Sequence, residues 1–252
     1  MSTSKKRKAE APTQPQQSQQ PKSKKKRRKP NAPDDDSLDV ELGLNLLFKR
    51  MDNQLLGDYL AQKLARFGSD LSPVEISDLT ISANSIQDTT SWQESRTLEK
   101  LPGFLEKNAE DPEAMNKASK KKGSPHTLIV AAAGLRAADI VRAVRKFSSK
   151  DNTVSKLFAK HMKVDEQVAF LHGHKTGIGV GTPARLIELI DNGALCLDNL
   201  KRVVVDASHI DQKKRGVMDM KDTMMPLARF LARKEFKDRY GDEEKPLALL
   251  FY

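Results

Sequence analysis

Between Leu42 and Phe67, apolar residues return at every third or fourth position: Leu42, Leu46, Leu47, Leu55, Leu56, Tyr59, Leu60, Leu64 and Phe67. That spacing gathers them on one helical face and predicts helix over residues 37–68. Asp34 to Ser37 offer N-caps, and Gly68 offers a stop. Residues 72–92 read as short mixed pieces, with a helix start at Ser72-Pro73-Val74-Glu75 and Trp92 as a packing anchor. Residues 106–124 carry Lys117, Lys120, Lys121 and Lys122 ahead of Gly123 and Pro125, and read as an exposed linker or loop.

From Thr127 onward the pattern changes. Thr127-Leu128-Ile129-Val130 is a short apolar run suited to a buried parallel strand. A helix over 135–148 follows, with Ile140, Val141, Val144 and Phe147 inward and Arg136, Arg142, Arg145 and Lys146 mainly outward. A second helix is predicted over about 153–163. Val168-Ala169-Phe170-Leu171 is another apolar run, and Ile178-Gly179-Val180 a third short strand. The helix 183–191 opens at Pro183 and stops at Gly193, each in its favoured place. Arg202-Val203-Val204-Val205-Asp206 is the clearest strand, a helix over 219–240 comes next, and Leu247–Phe251 is a last strand. Strands alternating with helices imply an α/β fold, a single parallel sheet with helices on both faces. The expected division is a tail over 1–36, a helical extension and linker over 37–124, and the α/β body over 125–252.

Composition sharpens this picture at the tail. The chain has 252 residues, 38% of them hydrophobic, enough for one or two domains with a real core. Residues 1–33 hold 11 Lys/Arg and one acid, Glu10, which accounts for the whole net charge of +10; the other 219 residues hold 33 charges of each sign. The basic balance therefore reports a tail, and a nucleic-acid surface on the body must be a local patch. Gln and Pro fill the tail from Pro12 to Pro21, so its composition predicts disorder. Its two basic clusters, Lys5-Lys6-Arg7-Lys8 and Lys24-Lys25-Lys26-Arg27-Arg28-Lys29, predict nuclear or nucleolar targeting rather than a plain solubilising tail. No run approaches the roughly 20 apolar residues of a membrane span, and no apolar run follows the basic N-terminus as in a secretory signal. Cys196 is the only cysteine, which excludes a disulfide framework and a cysteine-based zinc site.

Three segments invite chemistry. Gly181-Thr182-Pro183-Ala184-Arg185-Leu186 joins a strand to a helix, and free N–H groups, the Thr182 hydroxyl and the Arg185 guanidinium suit a phosphate. An ordinary turn with Pro at the first helical position explains it equally well. Asp206-Ala207-Ser208-His209 lies at a strand's carboxyl end, where open α/β sheets place functional residues. A capping Asp and a surface His is the plainer account. His172-Gly173-His174 is a glycine-containing loop that can approach a phosphate or metal, but one short His pair is a weak metal signal. Met218, Met220, Met224 and Met225 fit flexible packing.

The order Thr127–Arg136, Gly181–Leu186 and Val203–His209 resembles the first RecA-like domain of DEAD-box RNA helicases, over roughly residues 125–252. The resemblance implies an RNA-backbone contact at Gly181, Thr182 and Arg185, and at Arg136. It also implies a magnesium-binding, water-activating acid pair at Asp206 and its neighbour. The departures point away from catalysis: no G-x-x-x-x-G-K-[ST] loop occurs, Ala207 stands at the catalytic Glu, and Gly134 stands where that family's Pro-Thr-Arg motif has Arg. The Ile86–Trp92 block, the Leu171-His172-Gly173 segment and the basic tail make the chain similar to the Cms-one family of degenerate helicase-like nuclear proteins.

That second resemblance implies a non-catalytic component of the 90S pre-ribosome, the small-subunit processome, acting in 18S rRNA maturation. It implies pre-rRNA or small nucleolar RNA and assembly proteins as partners, and a nucleolar location. No cofactor, metal, membrane or small-molecule substrate is expected. Two other functions stay open on the residues: a nucleotide-dependent helicase-like enzyme with a non-standard site around Asp206 and His172-Gly173-His174, or a replication or chromatin factor on DNA. Nothing in the sequence marks recognition of a 2′-hydroxyl.

Overall fold

Thr127–Val130 (β3), Arg202–Val205 (β6) and Ala248–Phe251 (β7) are runs of aliphatic and β-branched residues. Such runs have no face to offer water, so they pair in a parallel sheet, β3 and β6 as inner strands and β7 at an edge. The computed structural model describes residues 1–2, 37–160 and 162–252. Its main sheet has five parallel strands in the order β4-β5-β3-β6-β7, with β4 at Thr153–Leu157 and β5 at Thr176–Gly181. Ile129 lies opposite Val180 on one side and Val204 on the other. The tail clusters from Lys5 to Lys29 lie outside the described residues, as does His161.

Side chains alternate across each strand and fill two cores. On one face, Leu128, Val130, Val203, Val205, Leu249 and Phe251 pack with helices α5 (Val164–Gly173), α6 (Pro183–Asp191) and α7 (Lys221–Leu231). On the other, Ile129, Val204, Leu250 and Tyr252 pack with α3 (Leu101–Lys107) and α4 (Gly134–Ala143). The fold is thus the α/β sheet, with helices on both faces, that the alternation predicts.

The N-terminal stretch shares this core. Leu56, Leu60 and Leu64 of α1 (Asn53–Phe67) lie in the same cluster as Leu128 and Val203, and the helix start at Ser72 opens α2 (Pro73–Leu79). A buried Lys63–Asp219 ion pair fastens α1 to the turn before α7. Trp92 is buried edge-to-face on Phe104, with centroids 5.6 Å apart, as an anchor should be.

Four expectations need correction. The continuous helix over 37–68 is instead a two-stranded hairpin, β1 (Leu38–Asp39) and β2 (Leu44–Asn45), one 3-10 turn, and then α1. Gly43 turns with φ +65°, and Asp52 starts α1 by accepting from the Leu55 N–H at 2.8 Å. The helix over 153–163 is instead β4, an edge strand whose exposed Lys156 interrupts its apolar pattern. The run Val168–Leu171 lies inside α5, where Val164, Val168 and Leu171 share a face at helical spacing. The loop over 106–124 is not simply exposed: a 3-10 turn, Pro112–Asn116, inserts Met115 into the core. Two other elements are shorter than predicted. Helix 135–148 ends at Ala143 before a 3-10 turn, and helix 219–240 divides into α7 and α8 (Lys234–Lys237).

Candidate functional site

The carboxyl ends of β3 and β6 bring Arg136 and Asp206 together across 70 residues of chain. Arg136 sits in the first turn of α4, where the positive end of the helix dipole opposes a cation. Asp206 follows β6, its N–H donating to the Val130 carbonyl at 2.9 Å. The guanidinium meets the carboxylate with both arms: Nε donates to Oδ2 at 2.7 Å and Nη2 to Oδ1 at 2.9 Å. Only 11% and 4% of the two side chains is exposed. Burial works against the Arg136 charge, but the Asp206 carboxylate outweighs it, and the arginine's pKa is raised. Two-armed pairing of this kind is strong and geometrically specific.

The next residues close the strand end. Ala207 donates its N–H to the Tyr252 carbonyl at 2.7 Å and buries its methyl. Ser208 donates to the same carbonyl at 2.8 Å. The hairpin then lies across the segment: the Asn45 N–H donates to the Ser208 carbonyl at 2.7 Å, and the Ile210 N–H to the Gly43 carbonyl at 2.9 Å. Leu44 and His209 form an antiparallel bridge. Burial, then the nearby Arg136 charge, lower the His209 pKa and favour its neutral form. Burial and the Asp206 charge raise the Tyr252 pKa. Both oxygens of Asp206 are held by Arg136 and position 207 offers a methyl. The strand end as built therefore does not fit a magnesium–phosphate group.

The 181–186 turn is also committed to packing. A Cβ on Gly181 would stand 2.3 Å from the Leu157 carbonyl oxygen and 2.8 Å from a Leu186 methyl, so the glycine serves strand and helix contact. Thr182 is half-buried at the N-terminus of α6, and its hydroxyl makes no capping bond. Arg185 is buried. Its Nη1 donates to Gln167 Oε1 at 2.7 Å and to the Met162 carbonyl at 3.2 Å, while Nε pairs with Glu188 at 3.0 Å. The guanidinium ties α6 to α5. Of the four residues expected to hold phosphate, Arg136 and Arg185 are turned inward onto protein partners, and Gly181 is explained by sterics.

His172-Gly173-His174 ends α5 on the surface, at the opposite, amino end of the sheet. Among the described residues no group of three or more His, Cys, Asp or Glu is placed to hold a metal ion. Met218, Met224 and Met225 are core, as their spacing suggests. Two features escaped the sequence reading. The Arg136–Asp206 pair has no local signal. The stacking of Phe170 on His174, four residues apart, was legible only once 164–173 was read as helix.

The chain matches, over residues 2–252, the family described as "CMS1: U3-containing 90S pre-ribosomal complex subunit". It is 64% identical to Protein CMS1 of Chaetomium thermophilum over 223 residues, covering 88% of this chain and 89% of that protein. It is 28% identical to Protein cms1 of Schizosaccharomyces pombe, covering 78% and 69%. Among solved structures, it resembles S. cerevisiae dbp5 bound to nup159, gle1, IP6 and ADP, with TM-score 0.39 at 16% identity. A DEAD box protein from Methanococcus jannaschii matches with TM-score 0.39 at 18% identity. Each of these two matches covers 63% of this chain and little more than a third of the other, 36% and 37%.

Proposed function

Since the chain belongs to the CMS1 family, described as a subunit of the U3-containing 90S pre-ribosomal complex, we propose that it works there as a non-catalytic assembly component. A role in ribosome biogenesis follows from the family. The finer reading is that the α/β body is a rigid docking piece, contacting pre-rRNA or small nucleolar RNA and neighbouring assembly proteins in the nucleolus. The basic tail would carry nuclear targeting and salt-sensitive RNA contacts.

One observation carries the non-catalytic part: the buried, two-armed pair of Arg136 on Asp206, beside Ala207. Phosphoryl transfer depends on positioned phosphates and metal. Here the one acid at the strand end is neutralised by a side chain of the same molecule. The absence of a G-x-x-x-x-G-K-[ST] run supports the same reading. An ATPase assay on the full chain, with and without RNA, tests it. No turnover above background is expected; RNA-stimulated turnover that disappears in Asp206→Ala would overturn the proposal. For the tail, deletion of residues 1–33 is expected to abolish nuclear accumulation, and unchanged accumulation would refute that role.

A further inference from the structure

At the amino end of the sheet, α5 finishes in an exposed pair of stacked rings. Phe170 and His174 stack with ring centroids 4.2 Å apart and an interplanar angle of 13°. The His174 Nδ1 lies 2.9 Å from the Phe170 carbonyl oxygen, which holds the two rings in register. Phe170 is 36% exposed, a large apolar ring left at the surface. His172 and Gly173 beside it are exposed too, and a Cβ built on Gly173 would touch nothing. The platform is flat, held in place and open.

Basic residues surround it from separate elements. The Gly123 N–H donates to the His174 carbonyl at 3.2 Å, which sets the exposed Lys120, Lys121 and Lys122 alongside. Lys175 follows His174 directly, and its carbonyl accepts from the Thr153 N–H at 3.1 Å, which brings the turn bearing Lys150 and Asp151 close. The acids on these elements include Glu166, one turn before Phe170 and accepting from the Lys163 N–H, with Asp151 and with Asp198, which is paired with Lys121. Lys120, Lys122 and Lys175 make no ion pair among the described residues. An exposed aromatic pair flanked by lysines offers a ring face and positive charge side by side. Together they match a ligand that is both flat and polyanionic.

We propose that Phe170 and His174, with Lys120, Lys122 and Lys175, form a contact surface for single-stranded RNA, a base stacking on the rings and phosphates meeting the lysines. The inference rests on the RNA-associated reading above and gives it a location. That location is the opposite end of the sheet from Asp206, away from the turn at Gly181 and Thr182. An acidic peptide would satisfy the lysines but has no use for the ring pair, so RNA is the better fit.

The test is photocrosslinking of the full chain to a short oligouridine, with the adducts mapped by mass spectrometry, and anisotropy titration of the same oligonucleotide. The titration is repeated from roughly 0.1 to 0.3 M KCl, and ring variants are compared at the upper end, where the tail's charge is well screened. Adducts are expected on the peptide holding Phe170 to His174. Phe170→Ala should weaken binding about ten-fold, within the range for losing one stacked base, while Phe170→Trp retains it and both keep the wild-type melting temperature. Lys120→Glu with Lys122→Glu should also flatten the salt dependence. Binding with adducts elsewhere and a silent Phe170→Ala would overturn this surface and leave the RNA reading standing. Absence of any RNA binding by the full chain would remove both. Silent ring variants combined with lysine variants that lose a polyglutamate peptide would make it a peptide surface and refute the proposal.

Discussion

The two ends of the parallel sheet are built to opposite plans. At the carboxyl end, Arg136 grips Asp206, Ala207 fills its position with a methyl, and the hairpin hydrogen-bonds across Ser208 and Ile210. At the amino end, a groove of about 980 Å³ opens between Lys107, Glu110, Lys201 and Lys245, and the Phe170–His174 stack at the end of α5 is exposed. Open α/β sheets ordinarily place ligands at their carboxyl ends. Here Asp206 is closed off by the molecule's own groups, and the exposed Phe170–His174 rings lie at the other end. A fold can keep its scaffold while its ligand-facing end becomes a packing joint.

The contrast can be broken most severely at the ion pair. Arg136→Ala leaves a buried carboxylate without its partner and should cost about 3–5 kcal/mol of unfolding free energy in a denaturant titration. Arg136→Leu combined with Asp206→Leu should recover most of that loss, because two apolar groups replace a desolvated pair. A cost below about 1 kcal/mol for the single variant would mean that the pair is solvated.

At the amino end the surface and its floor should behave differently. Met115 is buried beneath the groove, so Met115→Ala should cost about 2–5 kcal/mol by leaving a cavity. Phe170→Ala and Lys122→Ala are exposed and should stay within about 0.5 kcal/mol of wild type. Equal costs for floor and surface would erase the distinction. Back at the carboxyl end, Gly181→Ala drives a Cβ towards the Leu157 carbonyl and should cost about 1–3 kcal/mol, read as a lowered Tm.

The effect confined to acid conditions is a pH dependence. Burial, then the Arg202 charge, push His126 down to about 4 from 6.5. The unfolded chain therefore takes up this proton at higher pH than the folded one. Its contribution is fully present above 6.5 and is lost as pH falls towards 4. His126→Asn should flatten stability over that window, measured by denaturant midpoints at several pH values. An unchanged slope would show that His126 titrates freely.

The elements legible in the sequence are those whose burial leaves a continuous or periodic apolar trace: β3, β5, β6, β7, α1, α4 and α6. β4 was hidden because Lys156 faces out and Ser155 faces in, so it lacks the apolar run that marks β3, β6 and β7. α5 was hidden because Val168 to Leu171 is apolar over a length that suits a strand as well as a helix turn. At the site, Ala207 was legible as a missing acid. The fate of Asp206 was not, since its partner lies 70 residues away and only the sheet brings them together. Arg136 and Arg185 read as ligand-binding for the same reason: a guanidinium's partners are set by tertiary contacts, and the sequence shows only its charge.

The central claim is that the carboxyl end is closed to nucleotide. Isothermal titration of magnesium-ATP into the full chain tests it most directly. The account predicts no saturable heat, in wild type and in Asp206→Ala alike. Stoichiometric binding by wild type that is lost in Asp206→Ala would contradict it.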